Sequence, residues 1–98
     1  MTFNLEPVKR DKLGRNISDY SIRDFYEKIS EELLESHTEA VLGHHFSEPF
    51  ELLHVMTACA TRITVLNLCD EELAELQQCV IERNRGRGYF TEAQHENH

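Results

Sequence analysis

Phe50–Leu66 reads FELLHVMTACATRITVL. Leu52, Met56, Cys59, Ile63 and Leu66 recur at four-three-four-three spacing, the mark of a helical stripe. Phe50, Leu53, Val55, Ala58, Ala60 and Val65 cover most of the remaining circumference. A helix apolar nearly all round is buried on several sides. In a chain of 98 residues part of that burial is expected to come from another subunit. Glu51 and His54 break the pattern in the first turn, three apart and so on one face. Read alone, His54 is a helix-core histidine with a local partner.

Working outward, Ser47 is expected to cap this helix, with Pro49 tolerated in its first turn. The loop before it, GHHFS, is short, so the preceding helix runs antiparallel to it. That first helix is predicted over Ile22–Leu42. It opens on a capping-box pattern, Ser21 with Asp24, carries Ile22, Phe25, Tyr26, Ile29 and Leu33 as its stripe, and stops at Gly43. Downstream, Asn67 to Cys69 make a turn. Asp70, Glu71 and Glu72 place negative charge on the first turn of a third helix, where its dipole favours it. Leu73, Leu76, Val80 and Ile81 form its stripe, and Gly86 and Gly88 end it. Residues 1–20 read as an irregular arm, ordered only if it docks, residues 21–90 as a helical domain, and residues 91–98 as a frayed polar tail. The expected fold is an all-α antiparallel bundle completed by dimerisation.

The net charge of −8 argues against a nucleic-acid partner but not against a nucleotide substrate, because carboxylates that hold divalent cations make a phosphate site. No apolar run is long enough for a membrane span, and the N-terminus lacks the apolar core of a signal peptide. Cys59, Cys69 and Cys79, ten apart, fit neither a zinc site nor a disulfide framework and read as cytoplasmic thiols. The sequon at Asn16 has no meaning in that compartment.

The first helix contains SEELLES, residues 30–36. At about 100° per residue, Glu31, Glu32 and Glu35 project from one arc. By itself this reads as a solvated acidic face. The antiparallel neighbour changes the reading, because Glu51 and His54 enter at the same end of the pair. Carboxylates converging there repel one another unless a cation fills the cluster, and hard divalent ions take oxygen ligands.

In these motifs the chain resembles the MazG-like, all-α nucleoside triphosphate pyrophosphohydrolases, whose signature is EExxE…ExxD. Here EExxE is followed, after 15 residues, by Glu51-x-x-His54. Val8–Leu13 (VKRDKL) resembles the LVRDKI opening of a small phosphoribosyl-ATP pyrophosphohydrolase-like branch of that group. Glu82–Phe90 (ERNRGRGYF) resembles that branch's KxxxRGGF close. The resemblance covers roughly residues 8–90. It implies a helical dimer or dimer of dimers and Mg²⁺-dependent cleavage of a nucleoside triphosphate between the α- and β-phosphates. It also implies metal ligation by Glu32, Glu35 and Glu51, with Glu31 a further ligand or the base that orients water. Glu31 and Glu32 would then carry the catalysis, and His54 would take the fourth corner.

Three positions depart from the pattern: His54 replaces Asp, Tyr89 replaces a glycine, and Gly14 replaces a proline. Imidazole suits Mn²⁺ or another transition metal better than Mg²⁺. The alternative is a catalytically impaired relative that keeps nucleotide or metal binding as a regulatory oligomer. A third reading is a helical interaction protein with no site.

Phosphates also need cationic donors. Lys28 either pairs with Glu31 or meets phosphate. Arg62, eleven residues after Glu51, either reaches a nucleotide or pairs with an acid across a subunit interface. Arg83, Arg85 and Arg87 either satisfy a helix C-terminus or meet phosphate. Lys12, with Lys9 and Arg10, is a weaker candidate in the arm. His37, His44 and His45 lack ligand spacing and read as passive surface residues.

Overall fold

The computed structural model describes residues 3–91. A one-turn 3-10 helix, Ile17–Asp19, is followed by α1 (Ile22–Val41), α2 (Ser47–Val65) and α3 (Asp70–Gly86). Among the described residues there is no strand, only an isolated bridge between Arg10 and Asn16, so the all-α expectation holds. None of their helices is long and apolar enough to cross a membrane. The chain divides into two compact units after Asn67. The polar tail beyond Thr91 lies outside the described residues.

In the first unit, α1 starts where Ser21 and Asp24 predict. The Asp24 N–H donates to Ser21 Oγ at 3.1 Å, and the Ser21 N–H donates to the Asp24 carboxylate at 2.9 Å. Arg15 adds an ion pair to Asp24 at 2.8 Å. These partners hold the Asp24 carboxyl below its ordinary value; the Ser21 N–H is the largest cause. The helix ends at Val41, one residue short of expectation, with Leu42 as cap residue and Gly43 at φ +73° to turn the chain.

Ser47 does not cap α2; it is its first helical residue. Phe46 stands at the cap position with φ −93° and ψ −30°, already in the helical region. The Glu48 N–H donates to the His44 carbonyl and that of Phe50 to the Phe46 carbonyl. Loop carbonyls thus take N–H groups that a hydroxyl cap would satisfy. α1 and α2 run antiparallel, since Phe25 meets Arg62 at one end and Glu35 meets Glu51 nearer the other.

The arm docks. The Val8 N–H donates to Thr61 Oγ1 in α2 at 3.0 Å, and Thr61 is buried. Asp11 organises the turn that follows: its Oδ1 accepts from the Leu13 and Arg15 N–H groups, and its Oδ2 accepts from the Tyr20 hydroxyl at 2.8 Å. Gly14, at φ +82°, closes this turn with a hydrogen bond to the Asp11 carbonyl. Ile17 and Phe25 form the buried apolar core here, with Tyr20 tilted against Phe25 at a centroid separation of 5.2 Å.

The α2 stripe is not buried within the first unit. Leu52, Ile63 and Leu66 are exposed, Met56 and Cys59 are half-buried, and Phe46 before the helix is 93% exposed. The remaining cover has to come from outside the first unit.

In the second unit, α3 has a capping box that the sequence reading missed. Cys69 Sγ accepts the Glu72 N–H at 3.5 Å, and Glu72 Oε1 accepts the Cys69 N–H at 3.0 Å. Gly86 closes the helix, and Gly88 follows at φ +76°.

Candidate functional site

Two turns of helix, one in α1 and one in α2, bring three carboxylates together. One oxygen each from Glu32, Glu35 and Glu51 lies within 4.8 Å of the others. Periodicity places Glu32 and Glu35 on one face of α1, and the short loop folds the first turn of α2 back onto it. Their exposures differ: Glu32 is 7% exposed, Glu51 is half-buried and Glu35 faces solvent. The charges repel. The Glu35 carboxyl is held above the usual carboxylate range, first by the charge of Glu32, then by burial, then by a hydrogen bond with Glu51.

Lys28 offsets part of that repulsion. Its ammonium lies 2.9 Å from Glu32 Oε1 and 3.9 Å from Glu31 Oε1. Both proposed roles of Lys28 therefore begin from an ion pair, and the closer partner is Glu32, one turn away at i+4, rather than Glu31. These carboxylates raise the Lys28 pKa, with the Glu32 hydrogen bond the leading cause.

Glu31 and His54 stand outside the group of three but line the cavity beside it. The His54 ring lies 4.6 Å from that of Phe50, the residue one turn earlier. The cavity holds about 390 Å³ between the arm, α1 and α2, and Glu32 belongs both to its wall and to the carboxylate group. Val8, Leu13, Ile17, Phe25 and Ala58 give it apolar walls, and Lys12, Arg10 and Lys28 bring positive charge to its lining.

The other candidate residues fall elsewhere. Arg62 does not line the cavity; its guanidinium lies 5.1 Å from the centroid of the Phe25 ring, and its Nε is buried with no hydrogen-bond partner. Arg83 and Arg87 belong to the second unit, where the Arg87 N–H caps the Arg83 carbonyl and its guanidinium lies over Tyr89 at 5.9 Å. His44 Nδ1 pairs with Glu39, and among the described residues no ligand group forms around His37, His44 and His45. Cys59, Cys69 and Cys79 are free thiols.

The sequence reading missed Asp11, Tyr20, Thr57, Ala58 and Thr61 as parts of the cavity. One signal was available. Thr57 and Thr61 are hydroxyls four apart on an otherwise apolar helix, marking a face that meets something polar. No family model, curated protein or solved structure matches the chain.

Proposed function

We propose that the chain is a divalent-metal-dependent nucleoside triphosphate pyrophosphohydrolase of the MazG-like type, acting as a dimer or dimer of dimers. The convergence of Glu32, Glu35 and Glu51 from two helices, at the edge of a cavity, carries this reading.

The donor set fits a hard cation. Oxygens around Mg²⁺, at about 2.1 Å from it, stand about 3–4.2 Å apart. Carboxylates already within 4.8 Å of one another reach that geometry by small side-chain shifts. The raised pKa of Glu35 reports repulsion that a cation would remove. Glu32, Glu35 and Glu51 would hold the ion. Bound there, it would supply charge neutralisation for the phosphate oxygens and a lower pKa for the attacking water.

The chain's own groups do the rest. A Glu31 carboxylate oxygen accepts the proton of the attacking water. Lys28 holds positive charge between the carboxylates and the cavity, where the phosphate chain must pass. The α–β bridging P–O bond breaks, and water becomes part of a nucleoside monophosphate and pyrophosphate. The exposed apolar residues Leu33, Leu34, Leu52 and Leu53 support a second copy as their cover, because a helix pair this apolar does not stay bare in water.

The second reading, a metal- or nucleotide-binding oligomer without turnover, draws on His54. It stands beside Phe50 and outside the carboxylate group, so three ligands remain where the related signature has four. The deciding experiment assays pyrophosphate release from a panel of nucleoside triphosphates with Mg²⁺ and then Mn²⁺. Release that is lost in Glu32→Gln supports the enzyme. No release with any combination rejects it and leaves the binding protein.

A further inference from the structure

We infer that the cavity beneath the N-terminal arm seats the base of a nucleoside triphosphate, whose phosphates leave along the edge formed by Lys28, Glu31 and Glu32. This rests on the carboxylates being a phosphate-facing centre. It adds which end of the ligand enters the protein, and which residues select it.

The volume of about 390 Å³ lies within the range of small-molecule pockets. Its lining mixes apolar and charged side chains, with Arg10, Lys12 and Lys28 as the cations. Val8, Leu13, Ile17, Phe25 and Ala58 are apolar, whereas Glu32 at the margin is shared with the carboxylate group. A ligand that suits such a lining has an apolar part for the walls and an anionic part for the cations and a carboxylate-bound metal. A bare phosphate chain would leave the apolar walls uncovered.

Two observations favour a planar heterocycle over a hydrocarbon chain. Tyr20 and Phe25 put aromatic rings into the lining; Arg15 covers one face of Tyr20 and Arg62 one face of Phe25, so at most one face of each is left to stack on a base. His54 and Thr57 put polar atoms into the same lining. The Thr57 hydroxyl donates to the Leu53 carbonyl, so its oxygen remains an acceptor. A hydrocarbon would leave the His54 ring nitrogens and the acceptor capacity of Thr57 unused, which is unfavourable.

The seat is formed in advance. Tyr20 is fixed through its hydroxyl to Asp11, which also holds the Leu13 and Arg15 amides. Tyr20 therefore serves as wall rather than as hydrogen-bond donor to the ligand. Ala58 lines the cavity, and a phenylalanine there would compete for its volume.

The test is calorimetric, with Mg²⁺ present. The α,β-methylene triphosphates of adenosine, guanosine, cytidine and uridine, which resist cleavage at the α–β bridge, are compared with inorganic triphosphate. In the native chain at least one nucleotide binds about tenfold tighter than inorganic triphosphate, the value of one stacked base. In Ala58→Phe that ratio falls to about one. A ratio near one in the native chain, or a ratio unchanged in Ala58→Phe, overturns the inference.

Should Ala58→Phe fail to fold, methyl NMR on the native protein gives a second readout. The same nucleotides shift the Ala58 and Ile17 methyls while inorganic triphosphate leaves them in place; identical shift patterns overturn the inference. The two readings fail separately. Pyrophosphate release without these shifts keeps the enzyme and removes the base seat, whereas shifts without release keep the seat and remove the enzyme. No binding by any nucleotide removes both.

Discussion

Lys28 and Glu32 form a charge-assisted hydrogen bond of 2.9 Å in which the carboxylate side chain is 9% exposed and the ammonium side chain 40% exposed. The pair joins the carboxylate group to the cavity wall, since Lys28 and Glu32 both line the cavity. Lys28 acts there as a built-in countercharge, and an added cation competes for the same carboxylate.

Replacing Lys28 by Met removes that countercharge. The cation-free protein is expected to lose roughly 1–2 kcal/mol, less than for a fully buried pair because water reaches the lysine. Affinity for Mn²⁺ is expected to rise, since Glu32 is released. Denaturant melts with and without Mn²⁺ measure both. Equal destabilisation in the two conditions would show that Lys28 does not compete with a cation.

Glu35→Gln is expected to raise the thermal midpoint of the cation-free protein. The native carboxyl is repelled by Glu32 and Glu51, and the amide is not. A shift of about 1–3 °C is the expected scale. The same substitution is expected to weaken Mn²⁺ binding. A lower midpoint without cation would mean that Glu35 holds the fold rather than a ligand.

His54→Asp is expected to raise Mg²⁺-supported pyrophosphate release, on the order of tenfold, by restoring an oxygen donor to the second helix. Steady-state rates in Mg²⁺ and Mn²⁺ give the comparison. An unchanged rate together with unchanged Mg²⁺ affinity would remove His54 from the metal site.

At the start of α3 a thiol does the work usually given to a hydroxyl. Sulfur is a weak acceptor, so Cys69→Ser is expected to stabilise the helix by about 0.5–1 kcal/mol, and Cys69→Ala to weaken it. Circular dichroism melts separate the two. At the start of α1, Ser21→Ala is expected to cost about 1 kcal/mol.

Asp24 and Glu72 both have carboxyls lowered from ordinary values of 3.8 and 4.5, chiefly by the N–H groups of their cap residues. For a depressed carboxyl the unfolded chain binds the proton first as pH falls. The caps' contribution is therefore complete above the ordinary values and lost as pH drops through the lowered ones. Carboxyl NMR titrations are expected to find both groups below those values, with helix signal at the two N-termini fading over the same window.

The sequence carried the helices and the carboxylates for local reasons. Ser21 with Asp24 sets where α1 begins. Glu32 and Glu35 share a face by periodicity, and a short loop can only return α2 alongside, which brings Glu51 to them. Ser47 misled because capping depends on backbone angles, and Phe46 already has helical ones. The cavity was not legible, since it exists only once residues 8–20 dock onto α1 and α2. Periodicity also does not say which molecule covers a stripe: Leu52, Ile63 and Leu66 have a helical pattern but no cover within the first unit.

Val8 and Thr61 are 53 positions apart, joined by one hydrogen bond that lays the arm across α2. Contacts that close a loop of this length form late, after the local hairpin of α1 and α2 has assembled. The chamber under the arm is then expected to be the last part of the unit to close and the first to open in native-state exchange, with the Val8 amide as its reporter. A ligand held there binds only chains that have made a contact spanning more than half the sequence. By linkage, such a ligand would add to the stability of an arm that already closes without it.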